Sequence, residues 1–187
     1  MSQQLNGTRV AILATDGFEE AELASPRKAL QDAGAQVDIV APKSGTIRAW
    51  AKTEWGGDYP VDRTLDEVKS SDYHTLMLPG GVLNPDQLRQ NDQALSFTRQ
   101  FFKDHKPVGA ICHGPWILIN ADVVEGRTMT SYPSIAQDLK NAGANWVDEE
   151  VVVDSGFVTS RKPDDLDAFN AKLIEEIDEG KHSKQHA

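Results

Sequence analysis

Pro107-Val108-Gly109-Ala110-Ile111-Cys112-His113-Gly114-Pro115-Trp116-Ile117-Leu118-Ile119 carries the single cysteine among the 187 residues of this chain. An apolar run of strand type over 108–111 passes at once into an apolar run of helical type, and the cysteine stands at the junction. A side chain raised on a sharp strand-to-helix turn needs small residues two before and two after it, because larger ones collide with the strained backbone. Ala110 and Gly114 meet that need. Gly114 and Pro115 suit a helix start, whose unpaired N–H groups point toward Cys112 and favour thiolate over thiol. The adjacent imidazole of His113 either adds to that effect or accepts the proton. A lone cysteine beside a strand is commonly an inert core residue. Here the small neighbours and the histidine serve no packing purpose, so the expectation is a reactive sulfur.

Composition limits what such a sulfur serves. The formal net charge is −10 and the isoelectric point is near 4.9, which argues against nucleic acid and anionic membranes as partners. No apolar run has the length of a spanning helix, and residues 1–7 lack the apolar core of a signal peptide. One cysteine excludes an internal disulfide, so a cytoplasmic location is expected.

Outward from the elbow, residues 8–15 read as a buried strand. Asp16 and Glu19 then form a capping-box-like pair before a helix that ends at Gly34, with Pro26 interrupting its first half. A strand follows at 36–41, completing a β-α-β unit. Residues 42–62 read as an antiparallel hairpin holding Trp50 and Trp55, which either meet a partner subunit or cover the sheet edge. A short helix is expected at 65–68 and a strand at 75–78. The strand runs into Pro79-Gly80-Gly81, where paired glycines let backbone N–H groups approach a ligand, or simply make a turn. Asn91 and Asp92 cap a helix reaching about His105. Tyr132 falls in a loop at another strand end, 154–156 reads as a hairpin turn, and Pro163 opens a last amphipathic helix. Residues 1–7 and 180–187 read as tails around a single domain at 8–179. His182 and His186 are taken as tail composition rather than metal ligands, and no metal or cofactor is expected. The fold class is α/β: a flavodoxin-like, doubly wound, mostly parallel sheet with helices on both faces and a small antiparallel hairpin supplement. In such sheets ligands bind beyond the carboxyl ends of the strands, where Glu22, Gly80, Gly81, Cys112 and Tyr132 would gather.

Five motifs, 16–23, 78–81, 110–115, 130–133 and 145–154, resemble those of the PfpI family of intracellular proteases and stress proteins. That family lies in the superfamily of the Parkinsonism-associated deglycase and class I glutamine amidotransferase domains. The resemblance covers about residues 9–177. It implies that Cys112 is the elbow nucleophile, Glu22 the buried acid contacting its sulfur, and His113 the histidine of a Cys-His pair. Asp86 falls where these proteases carry an acid contributed by a neighbouring subunit. Gly81 and the His113 N–H match the oxyanion donors, with Gly80 beside them. Asp86 is one methylene shorter than the family's glutamate and its loop is about a residue longer, which weakens the peptidase expectation. The amidotransferase reading is weakened by the lack of any histidine between His113 and the tail; His74 and His105 read as structural.

Two functions are therefore expected. In the first, a stress-response hydrolase uses Cys112 to attack glyoxal-type aldehydes or glycated protein amines, with peptide carbonyls as a further substrate class. In the alternative, Cys112 is a non-enzymatic oxidative-stress sensor through sulfenic and sulfinic acid. The resemblance also implies a homo-oligomer, a dimer or hexamer, in which Asp86 serves a neighbour.

Overall fold

Val10, Ala11, Ile12 and Leu13 have no exposed surface, as a strand covered on both faces requires. The computed structural model describes residues 4–185. Its elements in chain order are β1 (Arg9–Leu13), β2 (Phe18–Glu19), α1 (Glu20–Asp32), β3 (Gln36–Ala41), β4 (Thr46–Ala51), β5 (Glu54–Pro60), β6 (Arg63–Thr64), β7 (Thr75–Leu78), α2 (Leu83–Leu88), α3 (Asp92–Lys103), β8 (Val108–Ile111), α4 (Pro115–Asn120), β9 (Thr128–Met129), α5 (Ala136–Asn141), β10 (Asn145–Trp146), β11 (Val151–Asp154), β12 (Phe157–Ser160) and α6 (Leu166–Glu179).

The main sheet has seven strands in the order β11-β12-β8-β7-β1-β3-β6, parallel throughout except for β11 against β12. Taken as first to fifth, β1, β3, β7, β8 and β12 lie in the order 2-1-3-4-5, the flavodoxin-like winding. The direction of winding reverses between β1 and β7, so the connections leaving their carboxyl ends diverge and leave a crevice. Gly80 and Gly81 follow β7, and Cys112 follows β8, at that edge.

Each face of the sheet carries its own core. Phe97 and Phe101 of α3 and Leu118 of α4 cover one side. Leu23 and Leu30 of α1, with Phe169 and Leu173 of α6, cover the other. Gly109 in β8 leaves room for that second layer, since a Cβ there would lie 2.9 Å from Leu173 Cδ1 and 3.1 Å from Phe169 Cζ. A separate three-stranded sheet, β2-β4-β5, holds the expected hairpin. Trp50 and Trp55 meet edge to face within it, their centroids 5.4 Å apart, so they cover the hairpin rather than the main sheet edge.

Four expectations are corrected. Asp16 and Glu19 do not form a capping box: Phe18 and Glu19 pair as a strand with Ala49 and Trp50, and Asp16 Oδ1 accepts from Arg48 N–H at 2.7 Å. Tertiary pairing with the hairpin has displaced the local cap. Residues 65–68 are not helical, because Leu65 N–H donates to Ala41 O (3.0 Å) and Glu67 Oε2 closes a turn on Thr64 N–H (2.9 Å). α1 continues through Pro26, which is buried in it. The segment 180–185 is docked instead of free, with Gln185 fully buried and its carbonyl on His105 Nδ1; His186 lies outside the described residues. Among the described residues no helix is long and apolar enough to cross a membrane.

Phe169 has no exposed surface. Phe169→Ala is expected to destabilise the chain by about 3–5 kcal/mol, read as a lower urea midpoint at unchanged slope.

Candidate active site

Cys112 adopts φ +62°, the left-handed region that residues with a Cβ seldom occupy. Such strain costs on the order of 1–3 kcal/mol and persists only where surroundings enforce it. Cys112 N–H donates to Ser160 O (3.1 Å), Tyr132 N–H donates to Cys112 O (2.9 Å), and Gly114 N–H donates to Ile111 O (2.9 Å). A Cβ on Gly114 would lie 2.7 Å from Leu78 O, which is why the position two after the cysteine must be glycine. The elbow read from the sequence is thus present, and it leaves Cys112 only 7% exposed.

Three elements meet at the sulfur. From α1, Glu22 enters with 0% exposure and its carboxyl faces Cys112. Its Oε2 accepts from Gly80 N–H at 2.9 Å, while Oε1 has no partner in hydrogen-bond geometry among the described residues. From the loop after β7, the Gly81 N–H reaches the sulfur, as does the N–H of His113. Gly81 has φ +77°, and a Cβ there would strike Gly17 O. Gly80 is corrected in role: its N–H is occupied by Glu22, so it holds the acid rather than presenting a free oxyanion donor.

His113 is fixed on every side. Nδ1 stands 3.1 Å from Cys112 Sγ and Nε2 3.1 Å from Ser134 Oγ. Tyr132, 40% exposed, stacks on the ring at 4.9 Å, and Trp116 meets it edge-on at 5.1 Å. Tyr132 also lines a pocket of about 300 Å³ with Pro133, Asp148, Arg161 and Lys162. Asp86 is exposed on α2, and the ring nitrogens of His113 face Cys112 and Ser134 rather than Asp86.

Burial sets the electrostatics. Loss of water pushes the Glu22 carboxyl up to about 8, so it carries its proton at neutral pH. Burial also pushes the Cys112 thiol up, and a charged Glu22 would push it further, against the pull of the Gly81 and His113 N–H groups. The expectation of a thiol lowered by the helix start, with the His113 imidazole adding to it or accepting the proton, is therefore opposed: α4 has six residues, and desolvation pushes the thiol up. With Glu22 protonated, however, its charge is gone and its O–H is a donor toward sulfur, so the two groups titrate as a pair. His113 is pushed down by burial and is neutral.

Two contributors escaped sequence reading. Ser134, an ordinary loop residue by sequence, fixes the far nitrogen of His113. Asn84 is fully buried: its Nδ2 donates to Pro79 O (3.0 Å) and Gly80 O (3.2 Å), and its Oδ1 accepts from Thr15 N–H (2.8 Å). It ties the glycine loop to the end of β1. An Asn three residues after Pro-Gly-Gly was the available signal, but turns use Asn too often for it to discriminate.

Residues 8–176 match the DJ-1/PfpI family. The chain belongs to that family. General stress protein 18 of Bacillus subtilis (strain 168) is 44% identical over 170 residues, covering 90% of this chain and 96% of that protein. Protein/nucleic acid deglycase 2 of Escherichia coli (strain K12) is 44% identical over 167 residues, covering 89% and 95%. The crystal structure of Drosophila melanogaster DJ-1beta matches with a TM-score of 0.83 at 27% identity, over 95% of this chain and 91% of that one.

In this DJ-1/PfpI chain the buried acid leaves a thermodynamic signature. Glu22 titrates near 8 when folded against an ordinary value of 4.5, so between those values the folded state holds a proton that the unfolded chain releases. That contribution is fully present below the unfolded value and is lost as pH rises through the folded one. Glu22→Gln is expected to flatten the fall in urea midpoint across this window.

Proposed function

We propose that Cys112 is the nucleophile of an enzyme acting on electrophilic carbonyls, namely glyoxal-type aldehydes and their adducts on protein amines. The observation that carries this reading is the convergence on one sulfur of a protonated carboxyl, a neutral imidazole nitrogen and two backbone N–H groups. The names of the relatives, a stress protein and a deglycase, support it.

In the proposed reaction the thiol proton passes to His113 Nδ1 as sulfur bonds to the aldehyde carbon. The carbonyl π pair becomes an alkoxide held by the Gly81 and His113 N–H groups, then takes a proton from Glu22 or His113 to give a hemithioacetal. For a dicarbonyl, the C–H proton beside sulfur then moves to the neighbouring carbon through an enediol, giving a 2-hydroxythioester. Water cleaves that thioester, releasing a 2-hydroxy acid and restoring the thiol. One carbon is oxidised and its neighbour reduced, so no external oxidant enters.

Peptides are the less favoured substrate class. Amide cleavage needs a strongly oriented acid-base histidine, and Ser134 offers His113 Nε2 a neutral hydroxyl where a carboxylate would favour the imidazolium. We place Asp86, exposed as it is, toward a neighbouring subunit in a homo-oligomer. A second reading, an oxidative-stress sensor, draws on the same pair: a protonated Glu22 is placed to donate to an oxygen added to sulfur.

The test is a panel of methylglyoxal, glycated amine and peptide given to wild type and Cys112→Ala. Aldehyde turnover is expected in wild type and absent from the variant; equal activity in both removes the enzyme reading. Ser134→Ala is expected to lower kcat on the order of tenfold with KM little changed, and Ser134→Thr to restore it.

A further inference from the structure

The end of α6 is built against its own helix dipole. Carboxylates are favoured at a helix N-terminus and cations at the C-terminus. α6 nonetheless closes with Glu175, Glu176, Asp178 and Glu179 and has no basic residue in its last turn. Lys172 pairs with Glu175 at 2.7 Å, and Gln4 Nε2 donates to Asp178 Oδ2 at 3.0 Å. Glu176, whose carboxylate also accepts from Gly156 N–H, and Glu179 lie side by side, and the chain reverses at Gly180 to bring His182 against them. His182 Nε2 lies 3.3 Å from Glu176 Oε2 and 3.2 Å from the Glu176 backbone O, and one ligand atom from each of Glu176, Glu179 and His182 falls within 4.8 Å of the others.

The imidazole is seated rather than loosely placed. His182 N–H donates to His105 O at 2.9 Å, and the ring packs on Gly156, where any side chain would collide with it. Glu176 is buried, and taking its carboxylate out of water carries a cost that a neighbouring dication offsets.

We propose that Glu176, Glu179 and His182 form a zinc site that staples the C-terminal segment to the body of the domain, with the remaining position left to water. One nitrogen and two carboxylate oxygens are a zinc-type donor set, and two carboxylates neutralise the dication. Tetrahedral zinc holds its donor atoms about 3.4 Å apart, close to the Glu176–His182 separation, and the exposed Glu179 side chain closes the rest by rotation. Gly156 immediately precedes β12, at the opposite end of β12 and β8 from Cys112, so the ion would be structural and remote from the elbow. It would clamp the segment that carries the buried Gln185.

The full-length Cys112→Ser chain removes sulfur as a competing ligand and is titrated calorimetrically with zinc chloride. One saturable site per chain is expected, with zinc slowing tryptic cleavage after Lys181 and Lys184. His182→Ala, and separately Glu179→Gln at an exposed position that leaves folding intact, are each expected to weaken binding at least about tenfold. The proposal is overturned if Cys112→Ser binds no zinc, or if Glu179→Gln binds as tightly as its parent.

Discussion

A carboxyl group with no exposed surface, Glu22, is wedged between the glycine loop after β7 and the sulfur after β8, and the rest of the structure is arranged to keep it there. α1 delivers it from one core layer, Gly80 N–H anchors one oxygen, and any side chain at Gly80 would strike that oxygen. The loop is in turn tied down by Asn84, whose amide reaches both Pro79 and Gly80 carbonyls and the N–H of Thr15, two residues past β1. Sheet order makes this meeting possible. The winding reverses between β1 and β7, so the connections beyond them part and the acid can enter from below while the elbow enters from the side.

Enclosure then determines the chemistry. A carboxylate deprived of water keeps its proton, and a protonated acid beside sulfur is a donor instead of a repelling charge. The backbone N–H groups of Gly81 and His113 complete a surround that suits negative charge on sulfur or on an oxygen attached to it. His113 stays neutral in its stack with Tyr132 and keeps one nitrogen for sulfur and one for Ser134. The strained φ of Cys112 places the sulfur at this focus, and three backbone hydrogen bonds around it hold the strain.

What could be read from sequence were the features that local sterics and burial impose. The apolar runs of β1, β7 and β8 announced a parallel sheet because strands covered on both faces cannot alternate. The small residues around Cys112 announced the elbow because nothing larger fits. Asn91 was a true N-cap, its Oδ1 accepting from Ala94 N–H at 3.0 Å. What could not be read were outcomes settled by distant partners. Asp16 and Glu19 carry every local mark of a cap, yet the hairpin at 46–60 claims that backbone. Residues 65–68 look helical until Ala41 offers a strand edge. Ser134 and the docked His182 depend on contacts 21 residues away and on the turn before β12, beyond any short-range pattern. The depressed thiol expected from a helix start neglected how thoroughly the elbow excludes water.

The central claim is that Cys112 and Glu22 share their protons as one unit, and the rate of iodoacetamide alkylation of Cys112 against pH tests it most directly. In wild type the rate should climb, level off near pH 8 as Glu22 gives up its proton and its charge disfavours the thiolate, and climb again in more alkaline solution, whereas in Glu22→Gln it should climb in one step. A single step at the same alkaline pH in both proteins would contradict the account.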